Sequence, residues 1–271
     1  MKKALQIHLA TVFGEACQPV QSSLQPRIPM SNGQSSYYRH ASGQARLQEF
    51  DGLLGYINLL DVELTRDIVI PLHVNQADIH IFYLFGTDQA IQIKDVRQDL
   101  TYTVPSGRGR YIYLPTGDYE VYMSSGNCTV VNFYFRSSIF RNGNERPFQF
   151  LHPLIEACRR QDAHSCCSID FRAGPITMAR IRHLVSKLKK RDLDNDRFIY
   201  EELNKLIKLS NTKVHQEYEH LSESTGYAQK VHDLVVVFVK DYGQDFILSD
   251  VAALLRKSLD YLSEIHKVHY G

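Results

Sequence analysis

The segment Ile79-His80-Ile81-Phe82-Tyr83-Leu84-Phe85 (IHIFYLF) decides the fold class. Ile79, Ile81, Tyr83 and Phe85 alternate with His80, Phe82 and Leu84, so both faces of an extended segment are mostly apolar, as in a strand covered on both sides. The same text recurs downstream. Tyr111 and Tyr113 alternate with Ile112 and Leu114, and Val131, Phe133 and Phe135 alternate with Asn132, Tyr134 and Arg136. Turn signals fall at Gly86-Thr87-Asp88, Pro105-Ser106-Gly107, Pro115-Thr116-Gly117-Asp118 and Ser124-Ser125-Gly126-Asn127. Roughly one turn every 10 to 20 residues describes an antiparallel all-β unit, a barrel or a sandwich.

Upstream, Cys17 to Gln44 is rich in Ser, Gln, Pro and Gly and shows neither a two-residue nor a 3.6-residue period. A mobile tail over residues 1–45 is expected, with order beginning near Leu47 and the β unit spanning 46–140. Met1, Lys2 and Lys3 precede an apolar run that Gln6 and His8 interrupt, too soon for an export signal. No stretch approaches the roughly 18 uninterrupted apolar residues of a membrane span. The five cysteines are odd in number and form no CxxC, which fits a reduced cytoplasmic protein. With 271 residues, 44% hydrophobic and 23% charged, the chain is about twice the roughly 150-residue prior for one domain, and collagenous and wholly disordered chains are excluded. Thirty-one basic residues against 30 acidic ones give +1, so no basic coat surrounds the molecule, although a local nucleic-acid site is compatible.

Beyond Pro147 the period becomes helical. Leu151, Leu154, Ile155 and Cys158 form one stripe. Gly174-Pro175 opens a second helix carrying Ile181, Leu184, Val185 and Leu188, and the Arg191–Asp196 link leads to a third carrying Ile199, Leu203, Leu206 and Ile207. So short a link predicts an antiparallel helical hairpin, here assigned to 147–220 as linker and dimerisation element. Ser222–Gly226 reads as a hinge before a helical segment over 227–271.

In that last segment Ser249 precedes the acidic Asp250 and is placed to cap one helix, and Ser258 is placed to cap another. Two short helices at a tight junction make a helix-turn-helix. Residue by residue, the segment resembles the first half of the DNA-binding module of AraC-type transcription regulators. Phe238-Val239 and Tyr242 match the end of that module's first helix, and Leu248 with Val251-Ala252 match its next element. Ser258, Tyr261-Leu262-Ser263 and Lys267 match its S-x-x-Y-L-S-x-x-F-K element, and Gly271 the glycine after it. The resemblance implies a recognition helix beginning after Ser258, with Asp260, Tyr261, Ser263 and Glu264 toward the groove and Lys267 near phosphate. Glu264 departs from the Arg often found there, and a carboxylate cannot make arginine's bidentate contact to guanine. His266 replaces the usual core Phe.

From Tyr227 to Gly271, five basic residues (Lys230, Lys240, Arg256, Lys257, Lys267) face six acidic ones (Asp233, Asp241, Asp245, Asp250, Asp260, Glu264), net −1. Phosphate neutralisation supplies most non-specific affinity, so weak DNA binding is expected unless a second helix-turn-helix is supplied. The resemblance implies such a second unit after Gly271, and the expectation is of a regulator truncated after its first helix-turn-helix.

In the β unit, Gly109, Pro115 and Gly117 have the G-x5-P-x-G spacing of a cupin motif, and a cupin-like barrel is the usual sensor in AraC-type proteins. Metal-binding cupins place His three residues after that second glycine, where this chain has Glu120, and His73 and His80 form no H-x-H, so no metal is expected. Phe82, Tyr102, Tyr111, Tyr113, Tyr122 and Phe133 are the candidate lining of an effector pocket, with ordinary packing as the alternative. Asp192, Asp194 and Asp196 resemble the start of a calcium loop, but Arg197 and Leu203 occupy its Gly and Glu positions, so they read as a helix N-terminal turn. The basic run Lys187, Lys189, Lys190 and Arg191 reads as a helix C-terminus, and Cys166-Cys167 as incidental loop thiols. P-loop, GxGxxG, GxSxG and HExxH are absent, so no catalytic residues and no cofactor are expected.

The combined expectation is an α+β chain: an antiparallel cupin-like β-barrel, a helical hairpin and a C-terminal helix-turn-helix. Its function would be that of a ligand-responsive, DNA-binding AraC-type regulator, homodimeric and cytoplasmic. The alternative is a ligand-binding or dimerisation protein derived from such a regulator that no longer binds DNA.

Overall fold

A computed structural model describes residues 3, 5–17, 24–52, 55–135, 140, 144–189, 193–243, 247–255 and 258–270. Its contacts divide the chain into two units, Met1–Val214 and His215–Gly271.

The first unit holds thirteen strands among its described residues: β1 (Leu5–Ile7), β2 (Gln34–His40), β3 (Gly43–Asp51), β4 (Gly55–Leu64), β5 (Ile68–Val74), β6 (Asp78–Phe85), β7 (Ile91–Asp95), β8 (Leu100–Val104), β9 (Arg108–Leu114), β10 (Gly117–Met123), β11 (Gly126–Phe135), β12 (Cys166–Cys167) and β13 (Phe171–Arg172). One sheet runs β1-β5-β10-β7-β8 and the other β12-β9-β6-β11-β4-β3-β2, with β13 also paired to β9. Every pairing is antiparallel. Helix α1 (Ala10–Phe13) follows β1, α2 (His152–Arg160) follows a 3-10 turn at Gln149–Leu151, and α3 (Pro175–Ser186) follows β13. Helix α4 spans Leu193–Tyr242, and the division between units falls within it.

Alternation assigns the two faces of the larger sheet to different layers. Phe82 and Leu84 of β6, Ile112 and Leu114 of β9, and Val130 and Tyr134 of β11 join Ile70, Leu72, Ile93, Val104 and Tyr119 of the smaller sheet in one inter-sheet core. The intervening residues, Ile79, Ile81 and Tyr83, Tyr111 and Tyr113, Val131 and Phe133, pack instead with Leu154 and Ile155 of α2, Ile181, Leu184 and Val185 of α3, and Ile199, Leu203, Leu206 and Ile207 of α4. All eight residues of β6 are buried, which is why its sequence is mostly apolar in both registers.

The hairpin is antiparallel. Arg180 of α3 pairs with Glu202 of α4 at 3.6 Å, and one turn along the His183 ring meets Phe198 at 5.8 Å between centroids. Asn195 Oδ1 accepts the Lys189 backbone N–H at 2.9 Å, closing the connection, and Asp194 and Asp196 lie in the first turn of α4. Lys190, Arg191 and Asp192 lie outside the described residues.

Three expectations are corrected. The tail expected over 1–45 contains β1, α1 and β2, and Leu5, Leu9, Phe13 and Tyr37 are buried. Strand β2 escaped the pattern because it ends a sheet: Gln34, Ser35, Arg39 and His40 are exposed, so no apolar alternation was required of them. The separation of 46–140 from 147–220 does not hold either, because α2, α3 and the start of α4 share one core with the larger sheet. The hinge at Ser222–Gly226 is helical and belongs to α4.

Candidate nucleic-acid interface and effector pocket

Helices α5 (Leu248–Leu255) and α6 (Leu259–Tyr270) belong to the second unit. Val251 and Ala252 of α5 and Leu262 of α6 are buried with Val231 of α4, and Leu234, Val235 and Leu248 pack around them half-buried. The exposed Ser249 lies inside α5, one residue beyond its start, rather than ahead of the helix. Ser258 does stand immediately before α6: its Oγ accepts the Tyr261 N–H at 3.3 Å, and its carbonyl accepts the Leu262 N–H at 3.2 Å. Arg256 and Lys257, at the junction, lie outside the described residues.

The six positions singled out for DNA, Ser258, Asp260, Tyr261, Ser263, Glu264 and Lys267, are all exposed. Asp260, Ser263, Glu264 and Lys267 recur at three- and four-residue intervals, so they share one side of α6, away from Leu262. That side carries two carboxylates and one ammonium, and Leu259 and Tyr261 stand exposed beside it. Such a surface can offer hydroxyls and an aromatic ring to a partner, but it opposes phosphate.

The six aromatics proposed as a pocket are not brought together. Phe82 and Tyr102 lie in the inter-sheet core, whereas Tyr111, Tyr113 and Phe133 lie between the larger sheet and the helices. Tyr122 is half-buried, its hydroxyl donating to Glu120 Oε2 at 2.6 Å. The buried hydroxyls have structural partners: Tyr111 donates to Ser210 Oγ at 3.2 Å, Tyr113 to the Asp162 carbonyl at 2.9 Å and Tyr102 to Ser165 Oγ at 2.8 Å. A single residue step in a strand reverses its face, which is why neighbours in sequence line different layers.

The cupin-like glycines have packing reasons of their own. Gly109 sits opposite Tyr83, and a Cβ there would stand 2.6 Å from the Tyr83 ring and 2.9 Å from Phe171. Gly117 has φ +153°, which favours glycine, and the Arg97 guanidinium occupies the space a side chain would need.

Polar groups that no motif signalled lie inside the larger sheet. Asn58 Nδ2 donates to Asn132 Oδ1 at 3.1 Å and Asn132 Nδ2 to the Ile81 carbonyl at 3.1 Å. Register supplied the only signal, since Asn58 and Asn132 face each other across β4 and β11. His80 is fully buried beside them, its ring 5.1 Å from Tyr134 and 6.2 Å from Phe82. Burial holds its pKa down to about 3, with Asn132 acting in the opposite sense.

His73 pairs with Asp118, and among the described residues no three His, Cys, Asp or Glu side chains gather where they could hold a metal ion. Cys166 and Cys167 form β12 rather than a loop; burial pushes Cys166 up to about 11 and raises Cys167, so neither is an activated thiol at neutral pH. Among the described residues no helix is long and apolar enough to cross a membrane.

Comparison with protein-family models and with curated proteins finds no match. Among solved structures, the chain is similar to the AraC-like transcriptional activator CuxR, with 8% identity over 84% of this chain and 76% of that one and a TM-score of 0.38. It is similar to unsaturated fatty acid bound ToxT from Vibrio cholerae, with 11% identity over 81% and 75% of the two chains and a TM-score of 0.35. Vicilin from Corylus avellana (hazelnut) is similar over 41% of this chain and 33% of its own, with 15% identity and a TM-score of 0.27.

Proposed function

We propose that the chain is a ligand-responsive transcription regulator of AraC type, cytoplasmic and homodimeric, with no catalytic role and no cofactor. The observation that carries this reading is the α5–α6 pair. Ser258 caps α6, and Val251, Ala252 and Leu262, which like Ser258 are positions of the sequence resemblance, close a core with Val231. In this reading α6 enters the major groove, Tyr261 and Ser263 meet base edges, and Lys267 meets a phosphate. The two-sheet unit acts as the cupin-like sensor, and the α3–α4 hairpin forms the dimer. A small-molecule effector bound by the first unit changes DNA affinity to the extent that it prefers one of two states.

Asp260 and Glu264 make a specific electrostatic prediction. The chain is expected to retard duplex promoter DNA only at low salt, and Glu264→Arg is expected to tighten binding on the order of tenfold by replacing a repelled group with a cation. Lys267→Glu should weaken it. Gel retardation across a salt series tests this. If neither the chain nor its Glu264→Arg variant retards DNA at any salt concentration, the proposed function fails.

A further inference from the structure

We propose that the groove between the Ile28–Asn32 loop and helix α3 is a binding site for a small amphipathic organic anion. The groove has a volume of about 640 Å³ and is lined by Ile28, Pro29, Pro175, Met178 and Ala179, together with Ser31, Arg182, His183 and Ser186. That volume and a mostly apolar lining with a few polar groups match small-molecule sites, which span roughly 300 to 1,000 Å³. A protein partner would instead need about 800 Å² of surface from each side, far more than a groove along three turns of one helix offers.

Both walls are fixed before any ligand arrives. On one side, Met30 N–H donates to Gln48 Oε1 at 2.9 Å and Gln48 Nε2 donates to the Ile28 carbonyl at 3.0 Å, tying the loop to β3. On the other, Ser31 N–H donates to the Val185 carbonyl at 2.9 Å, Ser31 Oγ to the Ser186 carbonyl at 2.9 Å and Asn32 Nδ2 to the Leu188 carbonyl at 2.7 Å, tying it to the end of α3. A preformed cleft spends none of a ligand's binding energy on ordering the loop.

The charge class follows from the lining. It contains no carboxylate, and its ionisable groups are Arg182 and His183. The Ser31 and Ser186 hydroxyls already donate to backbone carbonyls, and the His183 ring leans on Phe198. Arg182 is exposed and has no ion-pair partner among the described residues. Its planar guanidinium would take a carboxylate, sulfonate or phosphate group through two parallel hydrogen bonds, while an apolar body lies against Met178, Ile28 and Pro29. The site stands whether or not the second unit binds DNA.

Anilinonaphthalene sulfonate, an aromatic monoanion, and uncharged phenylnaphthylamine can be titrated into the full chain, with fluorescence as the readout. Saturable binding of the sulfonate is expected. Arg182→Glu should weaken it on the order of tenfold while leaving the uncharged probe unaffected. Ala179→Trp should fill the groove and remove both. Ala179 and Arg182 are exposed, so the fold tolerates both changes, and Arg182→Glu alone decides if the tryptophan variant does not fold. The proposal is overturned if the sulfonate does not bind, or binds both variants as it binds the natural chain. It is equally overturned if Arg182→Glu abolishes cosedimentation with phosphatidylglycerol vesicles while leaving sulfonate binding intact, because the groove would then serve a membrane surface.

Discussion

Every residue of β6 from Asp78 to Phe85 is buried, whereas in α6 the side chains described between Leu259 and Lys267 are exposed except Leu262. Strand β6 is pinned from both faces, by the inter-sheet core on one side and the helices on the other. Among its described side chains, helix α6 is held through Leu262 and the Ser258 cap. A twelve-residue helix is marginal by itself in water, so its order needs tertiary packing of the kind that Leu262 supplies. The first unit therefore has interior to spare and little free surface on its central elements. Among its described residues, the second offers exposed surface around a small interior.

The largest effect expected is at the doubly covered sheet. Phe133 of β11 is 1% exposed, with Tyr83 edge-on at 6.2 Å between centroids. Phe133→Ala should cost about 3–5 kcal/mol, read as a lowered denaturation midpoint of the first unit. A loss below about 1 kcal/mol would mean that the layer between sheet and helices is not a packed core.

Leu262→Ala should cost about 2–4 kcal/mol, but against a far smaller reserve. The expected outcome is loss of the second unit alone: proteases should cut within residues 215–271 while the unfolding transition of the first unit stays in place. Protection equal to that of the natural chain would show that α6 draws its order from elsewhere.

The contrast between the regions was partly legible in the chain. Alternation in Ile79–Phe85 announced a strand with two apolar faces, and the structure has that strand. It could not say which face meets which layer, because helices and a second sheet ask for the same residue types. Phe82 and Tyr102 therefore look alike in sequence to Tyr111, Tyr113 and Phe133, which lie in the other layer. Polar β2 was illegible for the converse reason: an edge strand whose only buried residue is Tyr37 leaves no apolar period. Gly226 misled because one glycine inside a helix costs only about 1 kcal/mol, too little to break α4. The Ile28–Asn32 groove had no local signal at all, since Ser31 and Asn32 meet residues more than 150 positions away.

A smaller effect, graded with pH, is expected at His80. Its folded pKa of about 3 lies below its ordinary value near 6.5, because burial disfavours the imidazolium. The unfolded chain then binds the proton first as pH falls. The stabilising contribution is complete above pH 6.5 and is lost progressively as pH falls toward 3. His80→Phe keeps an aromatic ring beside Phe82 and Tyr134 and removes the proton site. Its stability should therefore fall less steeply than that of the natural chain across the same interval. Parallel curves from chemical denaturation at several pH values would show that His80 is not buried as a neutral ring.

The smallest effect is expected at Ser258. Its cap bond to Tyr261 N–H is long at 3.3 Å, and the residue is exposed, so water can replace much of what the hydroxyl supplies. Ser258→Ala should cost about 0.5 kcal/mol, at the weak end for N-caps. Ser258→Asp adds a negative charge at the positive end of α6 and should stabilise that helix by a few tenths of a kcal/mol. The same charge adds to Asp260 and Glu264, so in the proposed function it should weaken DNA retention further. Stability and DNA affinity would then move in opposite directions at one residue. If instead Ser258→Ala exposed residues 215–271 to proteases as fully as Leu262→Ala, the cap rather than the leucine would be what orders α6, and the contrast with β6 would rest on the wrong residue.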